Sequence, residues 1–562
     1  MKILGIHIGH DSSAAVIDDG KIIADVQEER FTRVKHSNNV PIESIKYCLK
    51  IAGFIDINEF DYISLGRLNS RLRLNALFGL RYKSLSPYET ILGLLTSATG
   101  IGRIHPPIYF PNFSLIDPSK FITNEHHLAH AASAYYTQES PDDCLVFTID
   151  GVGDGISTAV WKGKGSTITP LVKYSYKDAA IGYGYSVVTE GLHFVHGDGE
   201  GITMGLAPYG DYTKCTGVLD VFFPEFKDEV LVKKSNLDGA SSWKENGSTQ
   251  FHMKEASQVE KLVKLHGKEH IANEAQRKLE ENVLNLVFGW SRRTGIRHIA
   301  CAGGVFLNVK LNQRIWNNRR DLIVRQHIYP NPGDSGLAVG AALLEYYRHN
   351  EFKGHVIDDL YKGPEYSDEE VKELLRIRKL SYEYVTNPSV KAAELLAEGK
   401  IIGWFQGKME AGPRALGNRS ILMSPTNRMN KDAINAWVKF REGFRPFCPS
   451  ILYEKRDLYI KDGRDEFFMI TSFDMIQAKI DKVPAVVHVD GTVRPQFVRK
   501  ATNPKYWELI NKFGELTGEY AVLNTSFNIK GEPIINHPRE ALRCFFDSGL
   551  DGIFIDCFYL KK

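Results

Sequence analysis

A strand–turn–strand–turn–strand pattern occurs twice in this chain, and no other feature restricts the fold as tightly. In the first copy, residues 3–8 (Ile-Leu-Gly-Ile-His-Ile) read as a strand and Gly9–Ser13 as a tight polar turn. Ala14–Ile17 is a second strand, Asp18-Asp19-Gly20 a hairpin turn, and Lys21–Val26 a third strand. The second copy begins roughly 140 residues further on. It runs as a strand over Cys144–Ile149, a Gly-rich turn over Asp150–Gly155, a strand over Ser157–Trp161, a turn over Lys162–Gly165, and another strand.

Two such hairpins are how the actin and sugar-kinase class builds a nucleotide cleft, each half offering a loop of backbone N–H groups to phosphates. Two unrelated hairpins in a mixed α/β protein are the other reading of the pattern. At 562 residues the chain is too long for one core, so two or three domains are expected. The 70 Lys and Arg against 68 Asp and Glu leave a net charge of +2. That argues against a nucleic-acid coat or a membrane-surface protein. No apolar run approaches the roughly 18 residues that span a bilayer. Seven dispersed cysteines without a CxxC read as reduced thiols, and no signal-peptide pattern opens the chain, so a cytoplasmic location is expected.

Asn124–Tyr136 (NEHHLAHAASAYY) lacks Gly and Pro and is predicted to be helical. His126 and His130 are then one turn apart on the same face, a spacing that lets two imidazoles take adjacent positions on one metal ion. Polar surface or satisfied core are the alternatives for that pair. Asp334, in Pro-Gly-Asp-Ser-Gly before a helix over Leu337–His349, is either an N-cap or a metal ligand. The glycine-dense Gly197–Gly210 reads as close backbone approach to a ligand or as a surface loop. Residues 66–120 are loop-rich, with several prolines, and no chemistry is assigned to them; a substrate or dimer surface is no more than a guess. Residues 225–260 read as a polar insertion, Glu269–Thr294 as a long amphipathic helix, and 350–372 as a linker. Beyond it, Arg414, Lys439, Arg441, Arg445 and Arg494 stand among Gly, Pro and Phe. Such cations suit phosphate or carboxylate, a solvated basic face being the alternative.

Taken together, Gly-His-Asp-Ser-Ser, His-His-Leu-Ala-His-Ala-Ala-Ser-Ala-Tyr, Gly-Pro-Arg-Ala-Leu-Gly-Asn-Arg-Ser and Asn-Thr-Ser-Phe-Asn resemble the antibiotic and nodulation-factor O-carbamoyltransferases, of which the tobramycin enzyme is typical. The likeness is collinear over nearly the whole chain. It implies an actin-like carbamoyl-transfer domain over 1–350, a linker over 351–372, and a YrdC-like domain over 373–562 whose last residues pack back on the first. It implies ATP-dependent chemistry, in which carbamoyl phosphate and ATP give carbamoyl-adenylate and the carbamoyl group passes to a hydroxyl of a natural product or sugar.

By motif, the metal ligands would be His126, His130, Asp150 and Asp334, holding Fe(II) or another first-row divalent ion, with Mg(II) accompanying ATP. His127 would point off the metal face. His10 would be the general base. Lys35, Gly151, Gly303, Gly304 and Asn308 would touch the nucleotide, and Arg414, Lys439, Arg445, Arg494, Asn524 and Ser526 the carbamoyl phosphate, with Arg414, Lys439 and Arg445 catalytic. Ile202 stands where the family often has Lys, so a phosphate contact is lost or replaced. Homodimerisation is compatible with the resemblance. The competing readings are threonylcarbamoyl-type transfer to tRNA, against which the charge balance counts, and an actin-like nucleotide switch without transfer chemistry, for which the basic C-terminal cluster is unnecessary.

Overall fold

The computed structural model describes residues 1–67, 110 and 112–562. Most of the 66–120 stretch singled out above lies outside the described residues. The chain is mixed α/β. The first sheet joins β1 (Lys2–His7), β2 (Ser13–Asp18), β3 (Lys21–Gln27), β4 (Tyr62–Leu65) and β5 (Phe121–Thr123) in the order β3-β2-β1-β4-β5. The helix α1 (His126–Tyr135) follows it. The second sheet joins β6 (Cys144–Gly153), β7 (Ile156–Lys164), β8 (Thr167–Ser175), β9 (His298–Ala302) and β10 (Arg325–Ile328) in the order β10-β9-β6-β7-β8. Each sheet is therefore an antiparallel meander of its first three strands extended by two parallel ones. The repeated hairpin of the sequence is thus the start of a repeated sheet, an arrangement consistent with an actin/sugar-kinase-like duplication.

Each half adds a helix after its fifth strand. Between β8 and β9 lie the insertion and the long helix α2 (Lys268–Thr294), and α3 (Leu337–His349) follows β10. α1 packs on β6 and β9 of the second sheet, while α3 packs on β1, β2 and β4 of the first, so the two helices meet between the sheets. Small residues permit this: a Cβ at Gly340 would lie 1.9 Å from the Ala129 carbonyl oxygen. Backbone contact that close leaves room for no side chain at position 340.

Four local expectations change. β6 runs through to Gly153 with a register shift after Ile149, so only Asp154 and Gly155 turn. The glycine-dense run forms a helix over Glu200–Leu206. Residues 225–260 form two hairpins, Glu225–Lys227 with Val230–Lys233 and Ala240–Glu245 with Ser248–Met253, and a helix over Ala256–His266. This insertion buries Phe226, Leu237, Met253 and Val259 in the second-half core, which its polar composition concealed. Asp334 caps nothing with its side chain; it begins a single 3-10 turn before α3.

After α3, Phe352, Ile357 and Leu360 are buried with Tyr135, Tyr136 and Tyr347, so this stretch is packed on the first part of the chain. A capping box at Ser367 and Glu370 starts a helix at Asp368, inside the expected linker. The last part is built on an eight-stranded sheet. Its strands are β11 (Glu383–Tyr384), β12 (Ile402–Phe405), β13 (Arg419–Met423), β14 (Cys448–Leu452), β15 (Gln496–Val498), β16 (Ala521–Ser526), β17 (Gly552–Ile555) and β18 (Phe558–Lys561), in the order β11-β18-β17-β12-β13-β16-β14-β15. No helix among the described residues is long and apolar enough to cross a membrane. All seven cysteines are free thiols.

Candidate functional site

The register shift at the end of β6 turns Asp150 toward α1, and the turn before α3 presents Asp334 to the same point. His126 Nε2 lies 3.2 Å from Asp150 Oδ2 and 3.5 Å from Asp334 Oδ1. His130 Nε2 lies 3.5 and 3.4 Å from the same two oxygens, and 3.1 Å from His126 Nε2. Both histidines are buried, and their Nδ1 atoms have no hydrogen-bond partner among the described residues. Bonds of about 2.1 Å to one ion at octahedral or tetrahedral angles place neighbouring donor atoms about 3.0 to 3.4 Å apart. The four side chains therefore fit a divalent ion held by two nitrogens and two carboxylates. Burial works against a charged His130, yet Asp150 and Asp334 raise it to about 9. His127 turns away: its Nδ1 meets Thr148 Oγ1 at 3.0 Å and its Nε2 the Ile156 carbonyl at 3.0 Å. Gly153 is the position that makes room, since a Cβ there would lie 2.0 Å from His126 Cδ2.

His7 escaped the sequence reading. It is buried, with Nε2 3.6 Å from Asp334 Oδ2 and 3.1 Å from the His10 carbonyl oxygen, and burial lowers it to about 3. As a neutral ring in β1 its Nε2–H donates to the His10 carbonyl, with Asp334 alongside. Its position within an apolar strand run gave no signal.

One continuous cavity of about 1890 Å³ is lined by His10, Asp11, Lys35, His36, Asp150, Gly151, Asp334, Gly304 and Asn308 from the first part of the chain. It is equally lined by Arg414, Lys439, Arg441, Arg445, Arg494, Asn524 and Ser526 from the last. Gly303 and Gly304 form the turn after β9. Gly303 has φ +100, and a Cβ on it would meet the Ile149 carbonyl oxygen at 2.3 Å. Gly304 N–H donates to Asp150 Oδ1 at 3.2 Å. Asn308 Oδ1 caps the helix Val309–Asn317, and its amide pairs with Gln276. Lys35 pairs with Asp198. Ile202 and Lys310 also line the cavity, and the Lys310 ammonium is paired with Asp490 at 2.7 Å.

At the other end the cations crowd together. Lys439 is buried, and its Nζ donates to Ser526 O at 2.5 Å, Asn528 Oδ1 at 2.6 Å, Asn528 O at 3.0 Å and Ser526 Oγ at 3.2 Å. Burial and then Arg441 hold its ammonium well below the usual lysine value. Burial and then Arg494 lower Arg414 to about 9; burial and then Arg445 lower Arg441 to about 9. Arg494 Nε lies 3.0 Å from Cys448 Sγ, and Arg445 lies 3.7 Å from Glu442, with Asp198 a more distant carboxylate acting on it. Asn524 is turned into the sheet, toward Ser450 and Gln496. Like charges gathered in a cleft in this way favour an anionic ligand. Arg441 belongs to this group by position, although the resemblance assigned it no role.

The sequence matches the family description "Carbamoyltransferase N-terminus" over residues 2–343 and "Carbamoyltransferase C-terminus" over residues 393–562. It is similar to an uncharacterised protein of Methanocaldococcus jannaschii, at 34% identity over 100% of both chains. It is also similar to the nodulation protein NolNO of Sinorhizobium fredii, at 33% identity over 98% of this chain and 79% of that one. Among solved structures, HypF of T. kodakarensis aligns at 14% identity and a TM-score of 0.31 over 61% of this chain and 48% of that one, too slight a likeness to bear on the chemistry. Two matches that together take in nearly the whole chain, with relatives of this identity along its full length, place the chain in the carbamoyltransferase family and make it a transferase enzyme.

Proposed function

We propose that the chain is an ATP-dependent O-carbamoyltransferase that makes carbamoyl-adenylate from carbamoyl phosphate and ATP and passes the carbamoyl group to a hydroxyl of a small-molecule acceptor. In this reading, residues 1–350 carry transfer, 351–372 connect, and 373–562 form a YrdC-like unit that processes carbamoyl phosphate. The observation that carries it is the single cavity, cationic at one end and bearing the His/Asp cluster at the other. A reactive mixed anhydride formed beside the cations then has a short path, within the same cleft, to the His/Asp cluster.

Lys439, Arg414, Arg441, Arg445 and Arg494 bind the phosphate dianion and neutralise the charge that grows on it as it leaves, which is catalysis by preorganised charge. Water cleaves carbamoyl phosphate to carbamate and phosphate; a carbamate oxygen then attacks the α-phosphate of ATP, the bond from that phosphorus to the bridging oxygen breaks, and pyrophosphate departs. The Gly303–Gly304 turn and Lys35 hold the nucleotide beside Asp150 and Asp334. A divalent ion on His126, His130, Asp150 and Asp334 would hold adenylate oxygens and draw electrons from the carbamoyl carbonyl. His10 takes the proton of the acceptor hydroxyl as the new C–O bond forms and AMP leaves.

The test supplies carbamoyl phosphate, ATP and a panel of hydroxylated natural products and sugars, and follows phosphate, pyrophosphate and acceptor mass. Phosphate and pyrophosphate release with a carbamoyl mass increment on an acceptor is the expected result. Release of neither phosphate nor pyrophosphate overturns the reading, and a mass increment on tRNA supplied in a parallel reaction, with none on the small molecules, makes the protein a tRNA-modifying enzyme.

A further inference from the structure

Around His10 the chain builds a second group of titratable side chains. His10 Nδ1 lies 2.9 Å from Asp11 Oδ2, and His36 Nδ1 lies 2.8 Å from Asp11 Oδ1. The two imidazoles are stacked, with ring centroids 4.6 Å apart and planes 14° from parallel. Phe251, from the strand Ser248–Met253, meets the His10 ring edge to face, with ring centroids 5.3 Å apart. Asp11 sits in the left-handed region at φ 61. That conformation folds the turn so that its carboxylate faces the ring of the residue before it. The remaining nitrogen, His10 Nε2, faces Gly197, where an added Cβ would lie 3.5 Å away. All three polar residues line the cavity.

We propose that Asp11 is the positioning residue for His10: its carboxylate holds the Nδ1–H tautomer, so that Nε2 is the free base toward the acceptor, and His36, bound to the other carboxylate oxygen, tempers that pull. The inference rests on His10 being the base. An imidazole takes a proton at one nitrogen only if its other nitrogen already carries one, and a carboxylate on Nδ1 selects that tautomer and stabilises the imidazolium formed during transfer. A carboxylate acting alone would also hold the ring protonated at rest. His36 opposes this, because Asp11 and Asp198 keep His36 cationic against burial, raised to about 10. The charged groups facing His10 are Asp11, His36 and the more distant Asp334, with His196 behind Phe251. In the transfer step the acceptor O–H proton moves to Nε2, the oxygen bonds the carbamoyl carbon, and the bond from that carbon to the adenylate oxygen breaks to release AMP. The imidazolium then returns its proton to solvent.

The prediction is read without knowing the acceptor. ¹⁵N-histidine spectra of the Zn(II)-loaded protein, with His10 assigned by its loss in His10→Asn, report tautomer and titration directly. Neutral His10 should carry its proton on Nδ1. Asp11→Asn, nearly isosteric and from a residue type that tolerates φ above zero, should lower the His10 titration midpoint by about 1 to 2 pH units. His36→Gln should move it upward. Opposite shifts from two neighbours are not what a folding defect produces. Wild-type His10 in the Nε2–H form, or a midpoint unmoved in Asp11→Asn, overturns the proposal. Single-turnover decay of carbamoyl-adenylate in the presence of an acceptor found by the mass screen separates it from the underlying reading. If His10→Asn transfers at the wild-type rate, His10 is not the base; if His10→Asn is slow and Asp11→Asn is not, only the role given to Asp11 fails.

Discussion

Arg30 and Gly412 are 382 residues apart in the chain, and the Arg30 guanidinium donates to the Gly412 carbonyl oxygen at 2.8 Å. Arg30 is itself buried, bound to Gln27 and paired with Glu29. Its neighbour Arg33 donates to the carbonyls of Pro533 and Ile534. One short turn after β3 thereby fixes two loops of the cationic half-site, one of which leads directly into Arg414. Arg30→Met should lower stability by about 1.5 to 3 kcal/mol, because a charged hydrogen bond is lost and a buried carbonyl is left without it. It should also slow phosphate release from carbamoyl phosphate. Thermal unfolding and a phosphate assay on the same preparation check both; an unchanged melting temperature would show that the clamp is not used.

The His/Asp cluster should be separable from the cationic one. His126→Ala/His130→Ala should abolish bound metal and acceptor carbamoylation while phosphate release continues. Gly153→Ala should act in the same direction by crowding His126. Elemental analysis of folded protein decides this: wild-type metal content in the double variant removes these histidines from the site.

Arg445→Ala should reduce phosphate release by about 10² to 10³, the loss expected when one preorganised charge is removed. Arg441→Ala should do likewise, although no motif named it. Metal content should be unaffected in both. Normal carbamoyl phosphate cleavage in Arg445→Ala would place the phosphate elsewhere.

Burial opposes protonation of His10, but the adjacent Asp11 carboxylate leaves its value above the usual 6.5. A base acts in its neutral form, so transfer should rise with pH through that raised value and decline below it. His10→Asn should slow transfer by about 10² to 10⁴ while pyrophosphate release persists. Stopped single-turnover experiments across the pH range give both quantities.

Asp25, in β3, is 2% exposed; its Oδ1 has no hydrogen-bond partner among the described residues, and burial raises it to about 7. The folded state therefore holds this proton where the unfolded chain has lost it. The stability it supports is complete below about pH 3.8 and is lost as pH rises toward 7. Asp25→Asn should then be stabilising at pH 8, by at most about 4 kcal/mol, and near neutral at pH 4. Urea unfolding at the two pH values tests the sign.

The sequence alone was sufficient for the repeated hairpins, because a three-strand meander joined by short turns is a local structure written in alternation and turn residues. It was sufficient for α1 and for the common face of His126 and His130, since helical spacing is also local. Family membership was legible from collinear motifs. What no local pattern carried was convergence. Asp334 read equally as a helix cap, and its approach to His126 depends on α1 and α3 packing backbone to backbone at Ala129 and Gly340. His7 looked like one more residue of a buried strand. Phe251 lay in a stretch that reads as polar yet reaches the cavity beside His10. The joining of the two charged clusters in one cavity rests on pairs such as Arg30 with Gly412. Such contacts are selected by shape and hydrogen bonding across hundreds of residues, and only the folded chain brings them together.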